Sequence, residues 1–352
     1  MATPSTEDRV VVAIGDGALS GVGGRWQENI TRIFYDQNGT DRGEDVYGST
    51  AGQCFQSDVA PIHSARITER SSINLACNGA SEHNILRTSS DGRPQYGMAP
   101  QAEQLAHIAA EKKVDMIVMS TGILPDSQFI KNCMDGYLAG EPGHSKWDCS
   151  PQKQSEILMY RQYWKFDEAV KDVRAVMSEA GYNDSDYKLV IQSHTAPLPR
   201  ASEMRYISED DRIYGSCALS NVDLNWLRDW HYPYIAKEFQ KVARSNNAGF
   251  LDVTDAFRGH ETCSKNARLT NYAGETGAHA EWSRNARTLR WAPDTDGAFE
   301  EALQPNAYGQ QALGACINEL FFDMWLTLGT SWKCVPSVPN WRPGEMSIYH
   351  SP

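Results

Sequence analysis

The feature that most constrains this chain is a series of short apolar runs rich in Val and Ile, separated by longer stretches with helical periodicity. Apolar runs without polar alternation are typical of strands buried on both faces, as in a parallel sheet covered by helices. Five runs predict strands: Arg9–Gly15, Ile73–Cys77, Val114–Ser120, Leu189–Gln192 and Phe250–Val253. Helical patterns cover Ala99–Lys113, Gln154–Ala180, Asp223–Arg244 and Asn306–Leu328. The sequence therefore predicts a three-layer α/β/α sandwich around a five-stranded parallel sheet.

The length of the chain fits one large domain. Its 352 residues are enough for one large α/β domain or two ordinary ones. Polar, Gly-rich stretches near 35–65 and 261–297 lie among the predicted elements, and no internal repeat is visible. We interpret these stretches as long loops of one domain over 1–352, with a core at about 9–334.

Charge and hydropathy narrow the possible partners. The chain carries 33 Lys and Arg against 45 Asp and Glu, a formal net charge of −12. Binding along a nucleic-acid backbone requires clustered Lys and Arg, so we expect no nucleic-acid partner. The longest apolar run, Leu320–Leu328, contains Asp323 and is shorter than the roughly 18 residues of a membrane helix, so we expect no membrane span. A small molecule or a glycan remains as the expected partner, and the oligomeric state stays open.

The eight cysteines bear on the compartment of the protein. They are widely spaced and none forms a C-x-x-C pair, which argues against a zinc or thioredoxin-type site. An even count of this kind favours disulfides, which persist in oxidising compartments, so we expect a secreted protein. Residues 1–9 lack the basic and apolar regions of a signal peptide, so secretion would need a signal outside this sequence. Eight cysteines allow on the order of 100 pairings, of which pairing in sequence order is the simplest; eight buried free thiols are the alternative.

The segments that follow the predicted strands form the candidate site, because ligands bind at the carboxyl ends of the strands in an open parallel sheet. Three segments follow strands, at residues 15–21, 77–81 and 120–126, and a fourth, residues 301–310, precedes the last helix. We expect the pocket to be lined by Gly17, Asn78, Gly79, Gly122, Ile123, Leu124 and Leu303. A mostly apolar cleft of this kind suits a small hydrophobic ligand, although the same residues would also suit a core. The Gly-rich stretch 15–24 matches neither a Walker loop nor a dinucleotide-binding motif, so no cofactor is expected.

The order of these four segments resembles the SGNH (GDSL-type) hydrolase family, in particular its secreted, disulfide-bearing branch common in actinomycetes. That family reads Gly-Asp-Ser in the first block, places a glycine in the second, reads Gly-x-Asn-Asp in the third and Asp-x-x-His-Pro-Asn in the last. Here Asp16 and Gly79 keep the family pattern, and the similarity extends from Val10 to Cys334. The resemblance implies a flavodoxin-like α/β/α fold. It also implies that the cysteines pair in order: Cys54 with Cys77, Cys133 with Cys149, Cys217 with Cys263, and Cys316 with Cys334.

Four positions depart from the family pattern. Gly17 stands where the family has its nucleophilic serine, Gln304 where it has its general base, and Glu301 where an aspartate orients that base. The third block, Gly122–Asp126, contains no asparagine for the oxyanion hole, where one donor contributes about 3–4 kcal/mol. Glycine has no side chain to attack a carbonyl, and an amide neither accepts nor returns a proton near neutral pH. The resemblance therefore implies an SGNH-like scaffold without the usual triad.

Other residues offer replacement chemistry. Ser20, three residues beyond Gly17, is a candidate nucleophile, or else a serine that stabilises the turn. His194 follows the fourth strand and is a candidate base or a lining residue. The carboxylates Asp16, Asp126 and Glu301 would permit glycosidase-type acid–base chemistry if they converge. A metal site made of Asp16, Asp126 and His194 is a weaker possibility, and we expect no metal.

Three hypotheses for the function follow. The first is a repurposed pocket that binds a small molecule or glycan, or that guides a non-hydrolytic reaction such as the cyclisation or isomerisation of a natural product. The second is a divergent ester or glycoside hydrolase that uses Ser20 and His194, or the carboxylates. The third is an interaction protein on the same scaffold. The sequence leaves open whether the protein is an enzyme.

Overall fold

The protein is built around one seven-stranded sheet. The computed structural model describes residues 9–27, 29, 42, 44–47, 53–122, 152–208, 211–212, 217, 219–268, 277–285, 300–324, 331–337 and 342–351. The strands are β1 (Arg9–Ile14), β2 (Ser71–Asn74), β3 (Lys113–Met119), β4 (Lys188–Gln192), β5 (Gly249–Asp252), β6 (Ser331–Pro336) and β7 (Met346–Ser351). Their order is β2-β1-β3-β4-β5-β6-β7. β1 to β6 pair in parallel, and β7 runs antiparallel to β6.

The mostly parallel α/β architecture is confirmed, but the predicted count of five strands is wrong. The sequence pattern missed β6 and β7, which extend one edge of the sheet. In β6, Trp332 and Cys334 face the core, whereas Lys333 between them is only partly buried. The strand therefore shows no continuous apolar run in the sequence. In β7, all residues but Met346 are at least partly exposed, so the strand carries no continuous apolar signal.

Helices cover both faces of the sheet. They are α1 (Gly17–Ser20), α2 (Pro61–Ser64), α3 (Glu82–Ile85), α4 (Gln101–Glu111), α5 (Gln152–Glu179), α6 (Asn221–Trp226), α7 (Tyr232–Ser245) and α8 (Ala307–Met324). β1 is apolar along its whole length because both of its faces are buried. On one face, Val10, Val12 and Ile14 pack in the core under α4, α5 and α7. Val11 and Ala13 pack in the opposite core under α2 and α8.

Disulfides join loops and helices to the sheet. Cys54 is bonded to Cys77 beyond the end of β2, and Cys316 of α8 is bonded to Cys334 of β6. A third bond joins Cys217 and Cys263. These three pairs confirm the pairing in sequence order, whereas Cys133 and Cys149 lie outside the described residues.

Candidate functional site

The backbone just after β1 passes very close to the backbone just after β3. Gly15 has a φ of +147°, and a Cβ there would lie 2.0 Å from the carbonyl oxygen of Ser120, so only glycine fits. The buried amide of Gln101 donates to the Gly15 carbonyl at 2.8 Å and accepts from its N–H at 2.7 Å. The chain then turns at Asp16, whose carboxylate accepts from the Ala18 N–H at 3.2 Å and caps α1. Gly17 is therefore fixed at the first position of α1.

The space beside Gly17 is occupied by the side chain of Asn78. A Cβ built on Gly17 would lie 2.6 Å from Asn78 Oδ1 and 3.1 Å from a methyl carbon of Val22. Asn78 is half-buried, and its own backbone is held by the Cys54 carbonyl at 3.0 Å and by Gln95 Nε2 at 3.0 Å. The position that resembles the family nucleophile thus lacks a side chain, and the end of the Asn78 side chain lies close to where a Cβ would be.

Asp16, Glu82 and His194 gather around the end of β3. Asp16 Oδ2 lies 2.9 Å from the position of a Cβ on Gly122. The His194 ring donates from Nε2 to the Thr121 carbonyl at 2.7 Å, and the Thr121 hydroxyl donates to Glu82 Oε1 at 3.4 Å. A carbonyl only accepts, so Nε2 carries the proton and Nδ1 is the basic nitrogen of the neutral ring.

Burial sets the electrostatics of this group. It raises the pKa of the Asp16 carboxyl above its ordinary value, and the nearby His194 ring only partly opposes the shift. Burial likewise raises the pKa of Glu82, and the negative charge of Asp16 adds to that rise. The two carboxyls therefore hold their protons more tightly than exposed carboxyls do.

Ser20 is fully buried within the α1 turn. Its hydroxyl donates to the Gly17 carbonyl at 3.4 Å and accepts from the Val22 N–H at 3.3 Å. These bonds suit a serine that stabilises a turn. Its role as a nucleophile stays a prediction.

Glu301 is enclosed by hydrogen-bond donors. Its side chain accepts from Arg25 Nε at 2.7 Å, from Trp26 Nε1 at 2.7 Å and from the Tyr47 hydroxyl at 2.7 Å. Two guanidinium groups contact the Trp26 ring, Arg25 at 4.8 Å and Arg284 at 3.9 Å from its centre. Burial and the adjacent Glu301 charge raise the pKa of Tyr47, so the phenol stays a donor. Both Glu301 oxygens are engaged, because Arg25 Nη2 also reaches Oε2 at 3.3 Å.

Gln304 follows Glu301 in a tight turn that precedes α8. Its backbone N–H donates to the Glu301 carbonyl at 3.1 Å, and its carbonyl accepts from the Arg284 N–H at 2.8 Å. Leu303 has a φ of +61° and packs partly buried against the core near Cys217 and Cys263. The Gln304 side chain is half-buried, and its Cβ lies 3.5 Å from the position of a Cβ on Gly23.

This arrangement of strands and helices is similar to that of a solved extracellular lipase. The extracellular lipase of Streptomyces rimosus is 18% identical with a TM-score of 0.51, and the match covers 85% of this chain and 94% of that chain. Phospholipase A1 of Streptomyces albidoflavus NA297 is 16% identical with a TM-score of 0.49, and the match covers 88% of this chain and 96% of that chain. The chain has an SGNH-hydrolase-like fold. No family model and no curated protein matches the sequence.

The SGNH-like fold thus brings several predicted residues together at the carboxyl ends of the strands. Gly17, Asn78, Gly122, Asp16 and His194 lie around the ends of β1 and β3. Glu301 is instead held in its own ion pair with Arg25. The exposed Gly79 has a φ of +74°, which glycine adopts without strain.

Part of the third block lies outside the described residues. Asp126, Ile123 and Leu124 lie outside the described residues, so the three-carboxylate arrangement and the metal site of Asp16, Asp126 and His194 stay predictions. Within the described ranges, no three His, Cys, Asp or Glu side chains are grouped to hold a metal ion. In the same part of the chain, no helix has the length and apolarity to cross a membrane.

Glu82 is the site residue that the sequence analysis missed. It is the first residue of α3, directly after Ser81, where an acidic residue is expected simply because it complements the helix dipole. Its side chain is nonetheless 6% exposed and turned toward Thr121. The sequence did place Glu82 three residues after Gly79, the second-block glycine, and this closeness to the block could have marked it as a site residue.

Proposed function

We propose that this SGNH-like protein does not use a serine nucleophile. Its pocket at the strand ends instead binds a small molecule or a glycan, or guides a non-hydrolytic reaction such as a cyclisation or isomerisation. The observation that carries the proposal is the absence of a side chain at Gly17, the first residue of α1, where Asn78 Oδ1 lies 2.6 Å from the position that a Cβ would take.

The surrounding groups support acid–base or binding chemistry rather than acyl transfer. Acyl transfer needs a nucleophile, a base that takes its proton and a third group that orients the base. Ser20 is buried in its turn, and the carboxylate of Glu301 is engaged by Arg25, Trp26 and Tyr47. No group at these positions is arranged to relay a proton to a leaving alcohol.

In this proposal, Asp16 supplies the acid and His194 the base. The Nδ1 atom of the neutral His194 ring is free to accept a proton, and the raised pKa of Asp16 keeps its carboxyl protonated over a wider range of pH than that of an exposed aspartate. A reaction that moves a proton between two atoms of one ligand needs both roles and no covalent intermediate. The Asn78 amide, beside Gly17, offers a donor and an acceptor that would orient such a ligand.

Secretion belongs to the same proposal. Three disulfides are formed among the described residues, and disulfides persist in oxidising compartments. The S. rimosus lipase that shares the fold is extracellular by name. We infer that this protein also acts outside the cytoplasm.

Hydrolysis of nitrophenyl acetate and nitrophenyl butyrate tests the loss of esterase chemistry. We expect the rate with the protein to equal the rate with Ser20→Ala, within about twofold of a protein-free blank. Ser64→Ala, in the neighbouring helix α2, is the matched control. Hydrolysis that is lost in Ser20→Ala but kept in Ser64→Ala would refute the proposal and establish the divergent esterase.

Binding forms the second arm of the test. Small apolar molecules and oligosaccharides are screened for an increase in the melting temperature of the protein. A true pocket ligand should lose at least about tenfold in affinity in Asn78→Ala. The control is Asn221→Ala, an exposed asparagine at the start of α6, which should bind as the unaltered protein does.

A further inference from the structure

A π-helical turn interrupts the long helix that follows β4. α6 passes at Leu227–His231 into one π turn before α7 begins. Such turns insert one extra residue, and they occur frequently at functional sites. This turn carries the buried Arg228 and the exposed Asp229. It therefore brings a guanidinium group beneath the loop that follows β5.

A cavity of about 260 Å³ lies between this turn, α7 and the strands β5, β6 and β7. Its charged lining consists of Arg200, Arg228, Lys237, Lys333, Asp252 and Asp255. Four cations and two carboxylates line the cavity, and Arg200 also pairs with Asp229 outside the lining, at 2.5 Å. The lining is therefore richer in cations than the protein as a whole, whose net charge is −12.

The carboxylates of the cavity are already engaged. Asp255 accepts from Arg228 at 2.5 Å, from Lys333 at 2.6 Å and from Arg258 at 2.7 Å. Burial alone would raise the pKa of Asp255, but the Lys333 hydrogen bond and the three cations outweigh burial and lower that pKa to about 2. Three cations thus share one carboxylate, and Asp252 lies farther away, at 3.6 Å from Lys333.

Several donors of the lining have no acceptor. The Arg228 Nε–H and the Thr254 hydroxyl are buried and form no hydrogen bond with the described residues. The exposed ammonium group of Lys237 forms no ion pair within the described part of the chain. Buried donors without acceptors are unfavourable, so an acceptor that binds here is favoured.

We propose that this cavity binds a compact oxyanion, the phosphate or carboxylate group of a small ligand. Guanidinium and ammonium groups with a nearby hydroxyl are the donors that recognise such groups. The cavity involves none of Asp16, Gly17, Asn78 or His194, so it stands independently of the proposed function.

Titration with inorganic phosphate at constant ionic strength tests this site. We expect saturable binding and a rise in melting temperature that sodium chloride does not reproduce. Lys237→Gln should weaken phosphate binding about tenfold, and Thr254→Val should weaken it severalfold. Lys241→Gln is the matched control, because Lys241 lies one turn further along α7 and does not line the cavity.

Each outcome decides the proposal. Weaker binding in Lys237→Gln with unchanged binding in Lys241→Gln supports it. A parallel titration with acetate shows which oxyanion is preferred, since tighter acetate binding indicates a carboxylate ligand. Absence of saturable binding of both anions, or equal losses in the two lysine variants, overturns it.

Discussion

Two carboxylates of this protein, Glu301 and Asp16, occupy positions that resemble family site residues, yet their surroundings differ. Glu301 is buried and accepts from Arg25, Trp26 and Tyr47. Asp16 is half-buried, caps a helix and has its pKa raised because burial is only partly offset by His194. The comparison teaches that sequence position alone does not identify a working acid. The Glu301 carboxylate, with its full set of donors, holds chain segments together, whereas Asp16, with fewer partners, is the acid of the proposed function.

Removal of the Glu301 carboxylate should have the largest effect. Glu301→Ala leaves Arg25 and Tyr47 without their acceptor in a buried place, so we expect a loss of about 3–5 kcal/mol in the free energy of unfolding. Urea denaturation measures this loss. Glu300→Ala, one residue earlier and partly exposed, should change stability by less than about 0.5 kcal/mol. Equal effects of the two substitutions would show that the Glu301 network does not stabilise the fold.

Restoring a side chain at Gly17 should have a smaller effect. Because the new Cβ would displace Asn78 Oδ1, the end of a side chain that can shift, Gly17→Ser should cost about 1 kcal/mol. Asn78→Ala removes the contact, so the double variant should recover much of that loss in a double-mutant cycle of unfolding free energies. Additive losses would mean that Asn78 does not occupy the space beside Gly17.

The smallest expected change concerns Asp16 and pH. Burial raises the pKa of Asp16 in the folded protein above its unfolded value of about 3.9. The protonated carboxyl therefore favours the folded state at low pH, and this stabilisation is lost as pH rises through the folded-state pKa. Asp16→Asn cannot ionise, so its melting temperature should gain on that of the unaltered protein as pH rises from about 4 toward neutrality. A difference in melting temperature that stays constant over this range would contradict the raised pKa. Asp91→Asn, at an exposed turn, is the control.

The sequence predicted most of the sheet but not its edge. Strands such as β3 and β4 are buried on both faces, so their apolar runs are visible without further information. β6 and β7 were missed because one face of β6 carries Lys333 and β7 is mostly exposed. Three disulfides were predicted correctly because the resemblance, and not the spacing, selected one pairing.

The candidate site was predictable only in part. The rule that ligands bind at the ends of strands led to Asp16, Gly17, Asn78 and His194. The partners of Glu301 were not predictable, because Arg25 lies 276 residues away in the chain and only the folded structure brings the two together. The contact between Asn78 and the space beside Gly17 likewise depends on tertiary packing, as does the inward turn of Glu82.

The most direct test of the central claim is intact-protein mass spectrometry after incubation with a fluorophosphonate that labels active serines. Since Gly17 has no hydroxyl and Ser20 is buried within its turn, we predict no added mass over many hours. An unrelated active serine hydrolase in the same tube verifies the reagent. Stoichiometric addition of one phosphonate, mapped by peptide sequencing to Ser20 and absent from Ser20→Ala, would contradict the account.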